Sequence, residues 1–206
     1  MSSHFITFEG PEGSGKSTQA HLLAEDLESK GLNVMLTREP GGEQVSEQIR
    51  KILLDGSDNS LTEHTELLLY LAARAQHTER IIHPHLRVGS MVICARYIDS
   101  TVAYQGYGSG LDLDLIRRMN AFVTDGLIPD LTFLLDIAVE VGLRRQSQQN
   151  RMERKAVEYH QKVRQGFLEE ARLNPERIVV IDASQDIDSI QQQILRLVAE
   201  KLNITV

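Results

Sequence analysis

Gly10-Pro11-Glu12-Gly13-Ser14-Gly15-Lys16-Ser17 carries the clearest chemistry in this chain. It fits G-x-x-x-x-G-K-[ST], the pattern of a loop that cradles phosphates. Glycines let backbone N–H groups turn inward around an anion. Lys16 adds a mobile positive charge for the outer phosphates of a nucleoside triphosphate, and the Ser17 hydroxyl suits Mg²⁺. A helix beginning at Ser17 and Thr18 would aim its positive end at the same phosphates. Residues 10–18 are therefore the candidate triphosphate site.

Such a loop works only between a strand and a helix. His4–Glu9 reads as a short strand entering it, and Ser17–Ser29 as a helix with Ala20, Leu23, Ala24 and Leu27 on one face. Further strands are expected at Asn33–Thr37, Ser90–Cys94, Leu131–Asp136 and Arg177–Asp182. Helical patterns lie between them at Glu43–Leu54, Asp112–Thr124, Ala156–Leu173 and Asp186–Leu202. Ser60-Leu61-Thr62-Glu63 has the form of a capping box, opening a long helix that runs to about Pro84. Asp112 and Asp114 read as cap residues. Strand and helix alternate throughout, which predicts an α/β fold: a five-stranded parallel sheet with helices on both faces. Ligands of such sheets gather at the carboxyl ends of the strands.

Composition bounds the partners. The chain has 206 residues, 41% hydrophobic and 25% charged, with net charge −7. One domain spanning 1–206 is expected. The acidic balance argues against a broad nucleic-acid face and for a small anionic substrate held by local arginines. Cys94 is the only cysteine and sits in an apolar run, so a buried, unreactive thiol is expected. No signal-peptide pattern and no apolar run of membrane length is present, so a cytoplasmic protein without membrane association is expected. His83-Pro84-His85 lacks a third ligand and reads as structural or solvated.

More chemistry follows the strands. Thr37-Arg38-Glu39-Pro40-Gly41-Gly42 comes after the second, and Ala95-Arg96-Tyr97-Ile98-Asp99-Ser100-Thr101 after the third. Tyr70 and Arg74 are four apart and share a helix face. A ring beside a guanidinium suits a planar base, one stacking and the other donating to a carbonyl. An ordinary surface cation beside a core tyrosine would look the same. Arg38, Arg50 and Arg96 are candidates to grip phosphate by forked hydrogen bonds.

Together these segments resemble the thymidylate kinase family over nearly the whole chain. The matching stretches are Phe8-Glu9-Gly10, the Thr37–Gly42 run, Arg74-Ala75-Gln76-His77, Arg96–Ser100, Ala103-Tyr104-Gln105-Gly106 and Val163-Arg164-Gln165-Gly166-Phe167. The resemblance implies a P-loop kinase fold, ATP and dTMP as substrates, Mg²⁺, and a homodimer. It implies that Lys16 and the loop hold the ATP phosphates, with Glu12 near the sugar 3′-hydroxyl of dTMP. Tyr70 would stack on thymine, Arg74 would bond its carbonyl, and Thr101 and Gln105 would touch its other edges. Arg38, Glu39, Arg50 and Arg96 would surround the dTMP phosphate. A polar segment at about 144–154 would close over ATP, with Arg151 reaching the transferred phosphate. Pro11–Ser14 holds no arginine, and the family takes that cation from either the loop or the lid. His77 would pack the helix rather than move a proton. Another nucleoside monophosphate kinase, or a nucleotide-binding regulator without transfer activity, are the alternatives.

The chain departs from the family pattern in three places. Ala95 stands where an aspartate usually orients Mg²⁺. Ser147, Gln148 and Gln149 stand where basic residues are common, leaving Arg145, Arg151 and Arg154 as lid cations. Glu43 replaces a small hydroxyl residue after the double glycine, and nothing in the sequence explains it.

Overall fold

Short runs of Val, Ile, Leu and Phe form β1 (Phe5–Glu9), β2 (Val34–Arg38), β3 (Met91–Ala95), β4 (Leu131–Asp136) and β5 (Ile178–Asp182). The computed structural model describes residues 3–55, 61–145, 151–153 and 155–204. All five strands pair in parallel, as expected from the alternation, and their order is β2-β3-β1-β4-β5. β1 and β3 are buried along their whole length, which is why they read as unbroken apolar runs.

The helices are α1 (Lys16–Ser29), α2 (Gln44–Leu54), α3 (Glu63–His77), α4 (His83–Arg87), α5 (Ile98–Thr101), α6 (Leu113–Val123), α7 (Val139–Arg144), α8 (Val157–Leu173) and α9 (Ile187–Leu202). Phe133 and Leu135 of β4 meet Leu23 and Leu27 of α1 and Ile194 and Val198 of α9. Leu134, between them, faces the other way onto Val163 and Phe167 of α8. Alternate residues of one strand thus serve two apolar layers.

Side-chain caps start α2, α3, α6 and α9. Asp112 accepts from Leu115 N at 2.8 Å and caps α6, as expected; Asp114 instead pairs with Arg117 at 3.4 Å. The expected cap of α3 needs correction. Ser60 lies outside the described residues, and the N-cap is Thr62, whose Oγ1 accepts from Thr65 N at 3.3 Å. Glu43 now has an account: its extended backbone and carboxylate cap α2, accepting from the N–H groups of Val45 and Ser46. The long helix reaches Pro84 by widening. A π-helical turn at Thr78–Ile82 separates α3 from α4, which accommodates the missing proline N–H.

α5, the π-helical turn after it at Val102–Gly108, and α7 were not legible in the sequence. α5 is too short for periodicity, and its cap comes from far away. Glu9 accepts from Tyr97 N at 2.7 Å, Ser100 N at 3.2 Å and Ser100 Oγ at 2.5 Å. Burial and nearby Asp99 push its carboxyl up to about 7, against those hydrogen bonds, which hold it down.

α7 packs backbone to backbone on the phosphate loop. A Cβ on Gly142 would sit 2.1 Å from Glu12 O, and one on Gly13 would sit 2.0 Å from Gly142 O. Gly142→Ala is therefore expected to destabilise the fold by about 1–3 kcal/mol, the usual range for overpacking against an unyielding neighbour. Urea denaturation of the two proteins checks this.

Candidate active site

The carboxyl ends of β1, β2 and β3 open onto one cleft of about 1090 Å³. Residues 12–18 of the phosphate loop form one wall, and Arg50, Tyr70, Arg74, Arg96, Thr101 and Gln105 line the other. Elements far apart in sequence supply these groups, and only the sheet order brings them together.

The loop has the backbone its glycines allow. Gly10, Gly13 and Gly15 have φ of 138°, 68° and 90°. A Cβ at Gly10 would strike Leu135 O at 2.3 Å. Gly15 precedes α1 without a side-chain cap, so the N–H groups of that first turn face the cleft with Ser17 and Thr18. Lys16 Nζ donates to Gly10 O at 2.9 Å, Pro11 O at 2.7 Å and Ser14 Oγ at 3.2 Å. Burial, helped by the nearby Arg96 charge, pulls this ammonium down to about 7.

Glu12 and Arg96 form the central pair. Arg96 Nη2 lies 2.8 Å from both Glu12 oxygens, and its Nη1 donates to Tyr104 OH at 3.1 Å. Tyr104 OH donates to Glu12 Oε1 at 2.9 Å. Burial alone would raise the Glu12 carboxyl, but Arg96 and Lys16 hold it at about 2. Arg96 has φ 71°, an uncommon conformation for a residue with a side chain. The Arg96 N–H bond to Phe8 O (2.9 Å) and the Glu9 cap on Tyr97 maintain it. Tyr104, as a partner of both charges, was missed as a site residue although its motif was noted.

Arg74 is 2% exposed and almost saturated. Its Nε donates to Glu39 Oε2 at 2.8 Å, Nη1 to Thr101 Oγ1 at 2.7 Å and Asn120 Oδ1 at 2.6 Å, and Nη2 to Tyr97 O at 2.8 Å. One Nη2 hydrogen remains of the guanidinium's set. Burial pushes the Tyr70 phenol up, so its ring is neutral and free to stack.

Other expected residues stand differently. Arg38 is half exposed, pairs with Glu47 at 2.8 Å and does not line the cleft. Glu39 lines it, but its oxygens are taken by Arg74 and His77. Arg50 donates to Pro40 O at 2.8 Å from the cleft wall. Gln105 Nε2 donates to Glu66 Oε1 at 2.8 Å. Arg151 is buried against α2 and α3, donating from Nε to Leu53 O at 2.9 Å and from Nη2 to Glu66 Oε2 at 2.6 Å. Of the expected lid, residues 146–150 and Arg154 lie outside the described residues. Arg145, one of the cations expected of the lid, donates to Gly13 O of the phosphate loop at 3.3 Å. Cys94 is fully buried, and burial pushes its thiol up, in line with an unreactive role.

Beyond Arg145 the cleft continues along Ala183, Gln185, Asp186 and Ile187, between β5 and α9. The sequence reading missed this end because no charged motif marks it. Among the described residues no group of three His, Cys, Asp or Glu is arranged to hold a metal. Ser17 therefore stands as a single hydroxyl donor. That fits a small hard cation shared with phosphates and water, as Mg²⁺ prefers.

A cleft ammonium that loses its proton near neutrality loses its grip on phosphate. With the free-protein value at about 7, kcat/KM for a triphosphate is expected to fall as pH rises through 7. Bound phosphate charge favours the protonated ammonium, so kcat should hold to higher pH than kcat/KM. Steady-state profiles from pH 6 to 9 check both limbs.

The chain matches the family model described as thymidylate kinase over residues 8–194. It is 47% identical to a thymidylate kinase of Exiguobacterium sp. over 205 residues, covering 98% of this chain and 97% of that one. A thymidylate kinase of Geotalea uraniireducens is 47% identical over 207 residues, with 96% and 97% covered. The crystal structure of thymidylate kinase from Ehrlichia chaffeensis superposes with a TM-score of 0.80 at 40% identity, over 96% of this chain and 99% of that one. With the parallel sheet, the phosphate loop and this agreement along its length, the chain belongs to the thymidylate kinase family.

Proposed function

We propose that this protein transfers the γ-phosphoryl group of ATP to the phosphate of dTMP, giving ADP and dTDP. The observation that carries the reading is one continuous cleft. A phosphate loop lines one side, the Tyr70–Arg74 pocket the other, and Arg96 lies in the same cleft. ATP phosphates lie on the loop N–H groups and Lys16. Thymine stacks on Tyr70, and its carbonyl accepts the remaining Arg74 N–H. Thr101 and Gln105 flank the base, though the nitrogen of Gln105 is already committed to Glu66.

Arg96 and Arg50 receive the dTMP phosphate, and Glu12 receives the sugar hydroxyl while holding Arg96 in place. The transition state is loose, with charge spread over the equatorial oxygens, so fixed cations and in-line placement do the work. Lys16 and Arg96 supply cations from the described residues, and Arg145 approaches the loop from the lid. Arg151, tied to Glu66, serves the lid by anchoring its far end (the notion of Arg151 on the transferred phosphate requires release of that pair). Ser17 would hold Mg²⁺ together with the phosphates, and the ion would supply charge neutralisation when bound. No covalent intermediate on the protein is needed.

Ala95 ends β3 beside Phe8 and offers no carboxylate. ADP release that depends on dTMP is expected in a coupled assay; binding of both ligands without turnover would refute transfer. Ala95→Asp is expected to raise the rate by about 10–100-fold, the usual weight of a group that orients a metal's ligands. An unchanged rate would show that the metal is placed without a carboxylate there.

The protein acts as a cytoplasmic homodimer. Supporting this, α3 and α6 leave Leu68, Leu115 and Phe122 exposed, Phe122 to 83%. No helix among the described residues is long and apolar enough to cross a membrane. Phe122→Glu is expected to convert the dimer to monomer in light scattering.

A further inference from the structure

A chain of buried polar contacts runs from the end of β2 to the base pocket. Thr37 Oγ1 lies 2.7 Å from His77 Nε2, and His77 Nδ1 lies 3.0 Å from Glu39 Oε1. The other Glu39 oxygen accepts from Arg74 Nε at 2.8 Å. His77 is fully buried, and Thr37, Glu39 and Arg74 are each at most 9% exposed. Glu39 and Arg74 line the cleft; Thr37 and His77 do not. The ring donates from Nδ1 to the carboxylate. In its neutral form Nε2 accepts from the threonine hydroxyl, so both ring positions are fixed.

The neighbouring turn is shaped around this chain. Gly42 has φ +85°, and a Cβ there would sit 2.6 Å from both His77 Nε2 and Thr37 Oγ1. Gly41 has φ +129°, and a Cβ there would meet Glu47 Oε1 at 2.4 Å. Glu47 Oε1 in turn accepts from Gly42 N at 3.0 Å. The double glycine thus lets the backbone close over the imidazole.

We infer that His77 and Thr37 are positioning residues for recognition of the acceptor's base. They fix the Glu39 carboxylate, which, with Thr101, Asn120 and Tyr97 O, sets the plane of the Arg74 guanidinium and so the direction of its one uncommitted N–H. The inference rests on the reading of Arg74 as the group that meets the base carbonyl. A planar donor discriminates only when its plane is held. Without the imidazole, the carboxylate gains a rotation and loses a bond, and the Nε edge of Arg74 loses its fixed partner. The relay has no hydrogen bond to the phosphate loop or to Arg96. Its loss should therefore appear in acceptor binding and leave ATP binding and the transfer step alone.

The test is steady-state kinetics on the full chain, varying dTMP at saturating ATP and the reverse, with thermal midpoints measured alongside. Thr37→Val keeps the volume and removes the hydroxyl; the KM for dTMP should rise about 3–10-fold, with KM for ATP and kcat within about twofold. Thr37→Ser should restore the original value. His77→Ala should raise the KM for dTMP about 10–100-fold. If that variant does not fold, the Thr37 pair decides. An unchanged KM for dTMP in folded Thr37→Val, or equal losses for both substrates, would overturn the inference. No dTMP-dependent turnover by the unsubstituted chain would instead sink the reading of function, and the relay's role with it.

Discussion

Burying a guanidinium costs several kcal/mol unless a carboxylate and further acceptors replace the lost water. The packing around this sheet is organised by that constraint. Arg96 is held by Glu12, Arg74 by Glu39, Arg151 by Glu66 and Arg177 by Asp99. Each pair joins elements distant in sequence, so these charges lock the segments around the sheet to one another. Arg177 shows the structural extreme. It grips Asp99 with two bonds of 2.7 and 2.8 Å and also donates to Thr132 Oγ1, tying the start of β5 to α5. Arg96 spans the cleft: its partner Glu12 belongs to the phosphate loop, so one ion pair connects the two sides.

Backbone approach is the second constraint. The phosphate loop touches α7 through Gly13 and Gly142, with no room for a Cβ on either. The turn after β2 closes over His77 through Gly42. In both places a glycine is required by a neighbour rather than by the turn alone. The arrangement gives rigid walls to a cleft whose ligands are themselves flexible and highly charged.

The phosphate loop was legible because its residues are contiguous and each has a local job. The strands were legible because burial on both faces leaves an unbroken apolar signature. The helix α5 was not: its cap is Glu9, from another strand, and no local pattern could show that. Arg38, Glu39 and Arg151 looked alike in the sequence, as charged residues near a motif. In the folded chain Arg38 faces outward to Glu47, Glu39 is shared between His77 and Arg74, and Arg151 is pinned to Glu66. Residue type set what these side chains could do, and burial selected which of it they do.

Glu43 makes the same point from the other direction. It looked like an unexplained replacement and proves to be a helix cap, a role a carboxylate fills as well as a hydroxyl. The sequence by itself determined the fold class and the phosphate loop, because these rest on short-range spacing and on periodicity, and it pointed to the family through the resemblance of its motifs. Only the tertiary structure decided which cations face the cleft, which carboxylates hold them and how few donors Arg74 has left. Those depend on side chains that meet across the sheet, where desolvation makes each charge dependent on a partner that adjacent sequence does not reveal.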